Sequence, residues 1–197
     1  MEPNNTRPEQ RTMVPVRGGF TARDAGDDMY IEGYFSVFDS PYQLWEGCEE
    51  VIAPGAFSDT LGGDIRALTN HDTRLVLGRT KSGTLTLRED GKGLWGSVQI
   101  NREDQDAVNL YRRVQRGDVD QCSFGFYIES ETRDVLEDGT VRYTINKVQL
   151  LEVSVVTFPA YEETSVSARH RAEEQVKARE LAEKKEALLK RLKGVQQ

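Results

Sequence analysis

Apolar residues alternate with polar ones through several short stretches of this chain, the period of a strand with one buried face. At 30–38 the run YIEGYFSVF is rich in aromatic and branched residues and is closed by Asp39, Ser40 and Pro41, which predicts a strand. Residues 14–20 predict an earlier strand, and the acidic stretch 22–28, with Gly26, a loop. Residues 45–50 predict a second loop, APGAF at 53–57 a turn, and 58–61 a single helical turn. A strand at 65–69 ends at Asn70, His71 and Asp72. Strands follow at 75–79, 84–88 and 94–100, separated by KSG and DGKG, both suited to tight hairpins.

The period then changes to that of a helix over 102–116. Ala107, Leu110, Tyr111 and Val114 form its apolar stripe, Asn101 is the expected N-cap, and Gly117 is the stop. The strand DQCSFGF at 120–126 follows, with Cys122, Phe124 and Phe126 on one face and Ser123 and Gly125 on the other. A charged hairpin at 133–140, tipped by Asp138-Gly139, leads back through 141–147 to a last strand at 149–157. Beyond Pro159 the strand period is lost. Residues 162–192 are rich in Ala, Glu, Lys, Arg and Leu, with a thin stripe of Ala178, Leu181, Leu188 and Leu192 interrupted by Lys185.

This pattern predicts three parts: a flexible N-terminal tail at 1–13, one domain at 14–160, and a charged tail at 161–197 that is helical or partly disordered. About eight short strands with one clear helix make the domain mainly β, of the α+β class. The expected architecture is a closed or nearly closed β-barrel flanked by helices.

Composition narrows the function classes. The net charge is −7 for 197 residues, which argues against a dedicated nucleic-acid binder; Arg112, Arg113 and Arg116 cluster only on a solvated helix face. Two cysteines, Cys48 and Cys122, and two histidines, without ligand spacing, make a zinc site an unpromising reading, and no cofactor is expected. The polar start of the chain and the lack of a long apolar run predict no signal peptide, no membrane span and a reducing cytoplasm.

The chemistry-bearing residues converge on Ser123. A nucleophilic serine needs an imidazole to take its proton and an acid to orient that imidazole. His71 is the histidine of the domain region, because His170 falls in the charged tail. Glu152 stands in LEVSVV at 151–156, where Leu151, Val153 and Val155 take one face and Glu152, Ser154 and Val156 the other. A carboxylate in so apolar a strand either faces water or is paired. From the residues alone, His71 also fits a hydrogen-bonding turn histidine and Glu152 an edge-strand glutamate. Cys122 is a second candidate nucleophile, but its parity turns it inward. A carboxylate pair is a third option, although Glu103 and Asp104 fall on an exposed helix start. Gly18-Gly19 and Gly62-Gly63 lack the strand–loop–helix setting of a phosphate loop.

Taken in order, GYFSVF at 33–38, IAPGAF at 52–57, NHD at 70–72 with Leu77-Gly78, Glu89-Asp90 with Gly93-Leu94, SFGF at 123–126 and LEVSVVTFPA at 151–160 resemble the tailed-phage prohead protease family. These are serine proteases that mature phage capsids. The resemblance implies a fold like the herpesvirus assemblin proteases, with His71 as general base, Ser123 as nucleophile and Glu152 as third member. Asp72 or another acid is the alternative for the third position. It further implies self-cleavage and a substrate in the scaffold, or in the scaffolding segment of the major capsid protein. It places the enzyme inside the assembling prohead in the host cytoplasm, and a homodimer through residues 102–116 is its suggested assembly. The competing class is a non-catalytic capsid assembly or scaffold protein that kept the fold.

Overall fold

The computed structural model describes residues 9–13, 20–26, 28–158 and 163–194. Eleven strands and two helices follow in the order β1 (Glu9–Met13), β2 (Thr21–Ala25), β3 (Asp28–Val37), β4 (Tyr42–Trp45), β5 (Cys48–Ile52), β6 (Arg66–Thr69), β7 (Asp72–Arg79), β8 (Leu85–Glu89), β9 (Gly93–Ile100), α1 (Gln105–Arg116), β10 (Gln121–Val135), β11 (Val141–Val156) and α2 (Glu163–Gly194). The chain falls into two compact units, 1–161 and 162–197.

In the first unit the strands divide between two sheets. One runs β2-β3-β9-β8, antiparallel throughout. The other runs β1-β10-β11-β5-β4, with β6 also paired to β11 and β7 to β6. Its organiser is β11. One edge pairs with β10 along nearly the whole length. The other edge is shared between two parallel partners, β5 beside 141–145 and β6 beside 152–155.

The mainly β, α+β character is as expected, but the expected closed barrel is not found. Among the described residues both sheets end in free ladder edges. The cause lies in segments whose polar composition hides their pairing. β10 and β11 continue as a hairpin well past the core, turning at Gly139 with φ +86°. Residues 45–50, expected to be a loop, instead join β4 to β5 and include the end of one and the start of the other, and these strands add to that hairpin instead of closing a ring. Residues 22–25, also expected to be loop, belong to β2. Residues 9–13, assigned by composition to a loose tail, form β1 against β10. The strand expected at 14–20 lies, apart from Phe20, outside the described residues.

One core joins both sheets. Ile31 and Phe35 from β3 and Leu94 and Val98 from β9 meet Phe124 and Phe126 from β10 and Val153 from β11, all fully buried. Phe124 stacks on Phe126 at 5.0 Å between ring centroids and meets the edge of Phe57 at 5.5 Å. Burying each such ring contributes about 2–3 kcal/mol, so this aromatic group fixes β10 firmly in place. The stripe Ala107, Leu110, Tyr111 and Val114 of α1 packs into the same core, which accounts for its apolar face within one chain. α1 starts three residues later than its pattern suggests. Asp104 is the N-cap, accepting from the N–H groups of Asp106 and Ala107, while Asn101 caps the preceding turn through the N–H of Glu103. Gly93 permits the close approach of β9 to β3 at the end of their ladder, because a Cβ there would collide with the Ser36 carbonyl.

The second unit is α2, a single helix whose Val176, Leu181 and Leu188 are exposed. No helix among the described residues is long and apolar enough to cross a membrane.

Candidate active site

The site is assembled where β6, β10 and β11 lie side by side. Ser123 on β10 stands opposite Ser154 on β11, and Gly125 stands opposite Glu152. Residues opposite one another in an antiparallel ladder share a face, so Ser123, Ser154, Gly125 and Glu152 form one polar group on the side away from Phe124. A register shift between Gly125 and Phe126 adds a residue to β11. The bulge brings Leu150, with Val153 and Val155, into the core and leaves Leu151 only partly buried. Leu151 was the residue that simple alternation assigned to that face.

His71 arrives from β6, which runs parallel to β11 with Leu68 beside Ser154 and Thr69 beside Val155. Thr69 pairs with Asp72, so Asn70 and His71 alone make the turn between β6 and β7. Both have positive φ, 51° and 60°. This is the geometry of a two-residue hairpin whose second position ordinarily takes glycine. A histidine held there costs about 1–2 kcal/mol of backbone strain. Asn70 fastens the turn to β11. Its N–H donates to the Val155 carbonyl at 3.0 Å, and its Oδ1 accepts from the Thr157 N–H at 2.8 Å.

So held, the His71 ring meets Glu152, with Nδ1 2.7 Å from Oε1 and the two side chains only 10% and 12% exposed. Ser154 completes the arrangement. Its hydroxyl donates to Glu152 Oε2 at 2.6 Å and accepts from the His71 N–H at 3.2 Å. Both carboxylate oxygens are thus occupied, which offsets the cost of placing a carboxylate among β-strands. A donor bond from Nδ1 to Glu152 leaves Nε2 as the basic nitrogen. Nε2 is buried and has no hydrogen-bond partner among the described residues. Ser123, on the neighbouring strand, is fully buried.

The other candidates are engaged elsewhere. Asp72, the alternative acid, accepts from the N–H and guanidinium of Arg74, which holds its pKa down to about 2. Cys122 faces the core and donates to the Tyr34 carbonyl, and burial pushes its thiol up to about 12. A thiol so shifted supplies almost no thiolate near neutral pH. Asp104 serves as a helix cap. His170 lies within α2. Among the described residues no group of three or more His, Cys, Asp or Glu side chains could hold a metal ion. Phe158, beside the turn that follows the last strand, is exposed, and Pro159 and Ala160 lie outside the described residues.

Ser154 is the site residue that sequence reasoning passed over. Its signal was its parity: it lies two positions from Glu152, on the same face of the same strand.

This chain is similar in sequence to known proteins. The prohead protease of Enterobacteria phage HK97 is 31% identical over 147 residues, which are 73% of this chain and 61% of that protein. This chain therefore spans less than two thirds of that relative's length. The structure of the bacteriophage T4 capsid assembly protease, gp21, aligns with 78% of this chain and 96% of its own, at 11% identity and a TM-score of 0.46. The caudovirus prohead serine protease family matches residues 20–179, a stretch that includes the whole of the site, and the chain belongs to that family.

Proposed function

We propose that this chain is a capsid-maturation serine endopeptidase, with Ser123 as nucleophile, His71 as general base and Glu152 as the acid that orients it. The observation that carries the reading is the His71–Glu152 contact at 2.7 Å, held in a strained turn fastened to β11, the strand that pairs with the Ser123 strand. Backbone strain of this kind is retained where a side chain must be aimed.

The reaction is acyl transfer. Ser123 Oγ attacks the scissile carbonyl carbon while its proton passes to His71 Nε2. Glu152, accepting from Nδ1–H, stabilises the imidazolium so formed. His71 returns the proton to the departing amine as the C–N bond breaks, leaving an ester on Ser123. Water, deprotonated by the same imidazole, then hydrolyses the ester. Ser154 positions both partners of Ser123: through Oε2 it fixes the carboxylate, and through the His71 N–H it fixes the turn. The substrates implied by family membership are the scaffold, or the scaffolding segment of the major capsid protein, and the chain itself, within the assembling prohead.

A fluorophosphonate esterifies activated serines whatever sequence the enzyme cleaves, so it tests the site directly. One adduct on Ser123 in the wild type, absent from Ser123→Ala and formed about 10²-fold or more slowly in Glu152→Gln, is the expected result. Equal labelling of wild type and Ser123→Ala would overturn the assignment.

A further inference from the structure

Four residues stand in a row across the sheet that carries the site. Gly125 is opposite Glu152 in the ladder of β10 and β11, Arg66 is beside Glu152 in the parallel pairing of β6 and β11, and Arg79 is opposite Arg66 in the pairing of β6 and β7. The next pair along β6 and β11, Ala67 and Val153, lies in the core, so Arg66 and Glu152 share the opposite face, which is the face of Ser123. Neighbouring strands are about 4.8 Å apart, well within the reach of an arginine side chain. A guanidinium can grip a carboxylate with two parallel N–H groups. Yet Glu152 pairs with His71 and not with Arg66. Arg66 is turned to Asp64 instead: Nη1 donates to the Asp64 carbonyl at 3.1 Å and Nη2 to Oδ2 at 3.3 Å. Asp64 also accepts from Arg79 through both carboxylate oxygens. One carboxylate thus satisfies two guanidinium groups that face each other across the ladder, where like charges repel. We infer that Asp64 is a positioning residue of the site: it holds Arg66 away from Glu152 and so keeps that carboxylate for His71. This inference rests on Glu152 being the acid that orients His71.

Without Asp64, Arg66 is repelled by Arg79 on one side and attracted by Glu152 on the other. The Glu152 side chain is 12% exposed and that of Asp64 40%, so the attraction to Glu152 is the less screened of the two. An arginine on Glu152 acts twice. It draws the carboxylate from Nδ1, which leaves the imidazole free to turn. It also neutralises the charge that stabilises the imidazolium as Ser123 gives up its proton.

Fluorophosphonate labelling of Ser123 in full-length variants tests this, because its rate reads the triad without any choice of peptide. Asp64→Ala should be labelled about 10-fold more slowly than wild type, the scale of a modest misplacement within the triad. Asp64→Asn, which keeps the shape and drops the charge, should be slowed in the same direction. Arg66→Gln should stay within about 2-fold of wild type, and adding it to either Asp64 variant should restore that rate. A merely structural Asp64 would not be rescued by removing a second member of the same cluster. In the Glu152→Gln background, Asp64→Ala should slow labelling no further, because it acts through Glu152. Wild-type labelling of both Asp64 variants, or double variants as slow as the single ones, would overturn the inference and leave the triad in place. Glu152→Gln labelled as fast as wild type would contradict the reading of Glu152 itself and remove the inference with it, so the two failures are distinct.

Discussion

Gly125 faces Glu152 across the ladder so closely that a Cβ at position 125 would lie 2.5 Å from Glu152 Oε1. That oxygen is the one in contact with His71 Nδ1. The missing side chain therefore makes room for the carboxylate, and Gly125→Ala must turn it away from the imidazole. The expected result is a fall of about 10²-fold in kcat/KM, the scale of a misplacement near 1 Å, with the fold retained. Fluorophosphonate labelling rates beside circular dichroism spectra check it.

Ser154 hydrogen-bonds the Glu152 carboxylate and the His71 backbone at once. Ser154→Ala leaves two buried groups without their partner, at about 1–3 kcal/mol each. Since the hydroxyl holds Glu152 and the His71 turn, the loss should fall on kcat with KM nearly unchanged. A variant changed in KM alone would place Ser154 outside the reaction. The measurement is steady-state cleavage of a peptide cut by the wild type.

Cys122 is buried, its thiol is pushed up to about 12, and it points into the core. Thiol alkylation of the folded protein should leave activity intact. Cys122→Ala should keep turnover while lowering stability by about 1 kcal/mol, read from chemical denaturation. Loss of activity on alkylation at an intact fold would revive the cysteine as nucleophile.

These features differed in how legible they were in the sequence. Alternation alone set Ser123 apart from Cys122 and put Glu152 and Ser154 on one face, because β10 and β11 are pinned there by buried aromatic and branched side chains. The stop of β6 at Asn70 was legible for a similar reason, since polar residues interrupt an apolar run. Alternation could not anticipate the bulge at Leu151, which depends on the partner strand. Nor could it show that β6 pairs parallel to β11, the long-range contact that carries His71 to Glu152. The barrel expectation failed on β1, β2, β4 and β5. Of these, β1, β2 and β4 are edge strands held by backbone pairing, and β5 lies between β4 and β11, so none of the four shows its partner in its own short sequence.

Asp64, just before β6, is bound by Arg79 at the end of β7, with Nε 2.6 Å from Oδ1. The Arg79 guanidinium holds its pKa down to about 2, from an ordinary 3.8. Because the folded-state value is depressed, the pair stabilises the hairpin above about pH 4, and that contribution is lost as pH falls through about 2. Both side chains are substantially exposed, so the effect should be small and sensitive to salt. Carboxyl NMR titration should give a midpoint near 2 for Asp64, returning toward 3.8 in Arg79→Ala. An unshifted midpoint in the wild type would show that the pair does not form.

The central claim is that Ser123 cuts capsid-assembly proteins, and intact mass tests it most directly. The chain, as wild type and as Ser123→Ala, is coexpressed with the major capsid protein and scaffold of its own phage, and every component is weighed after assembly. Discrete truncations of capsid or scaffold protein present with wild type and absent with Ser123→Ala are the predicted result. The same truncations in both samples, or full-length components in assembled wild-type proheads, would contradict the account.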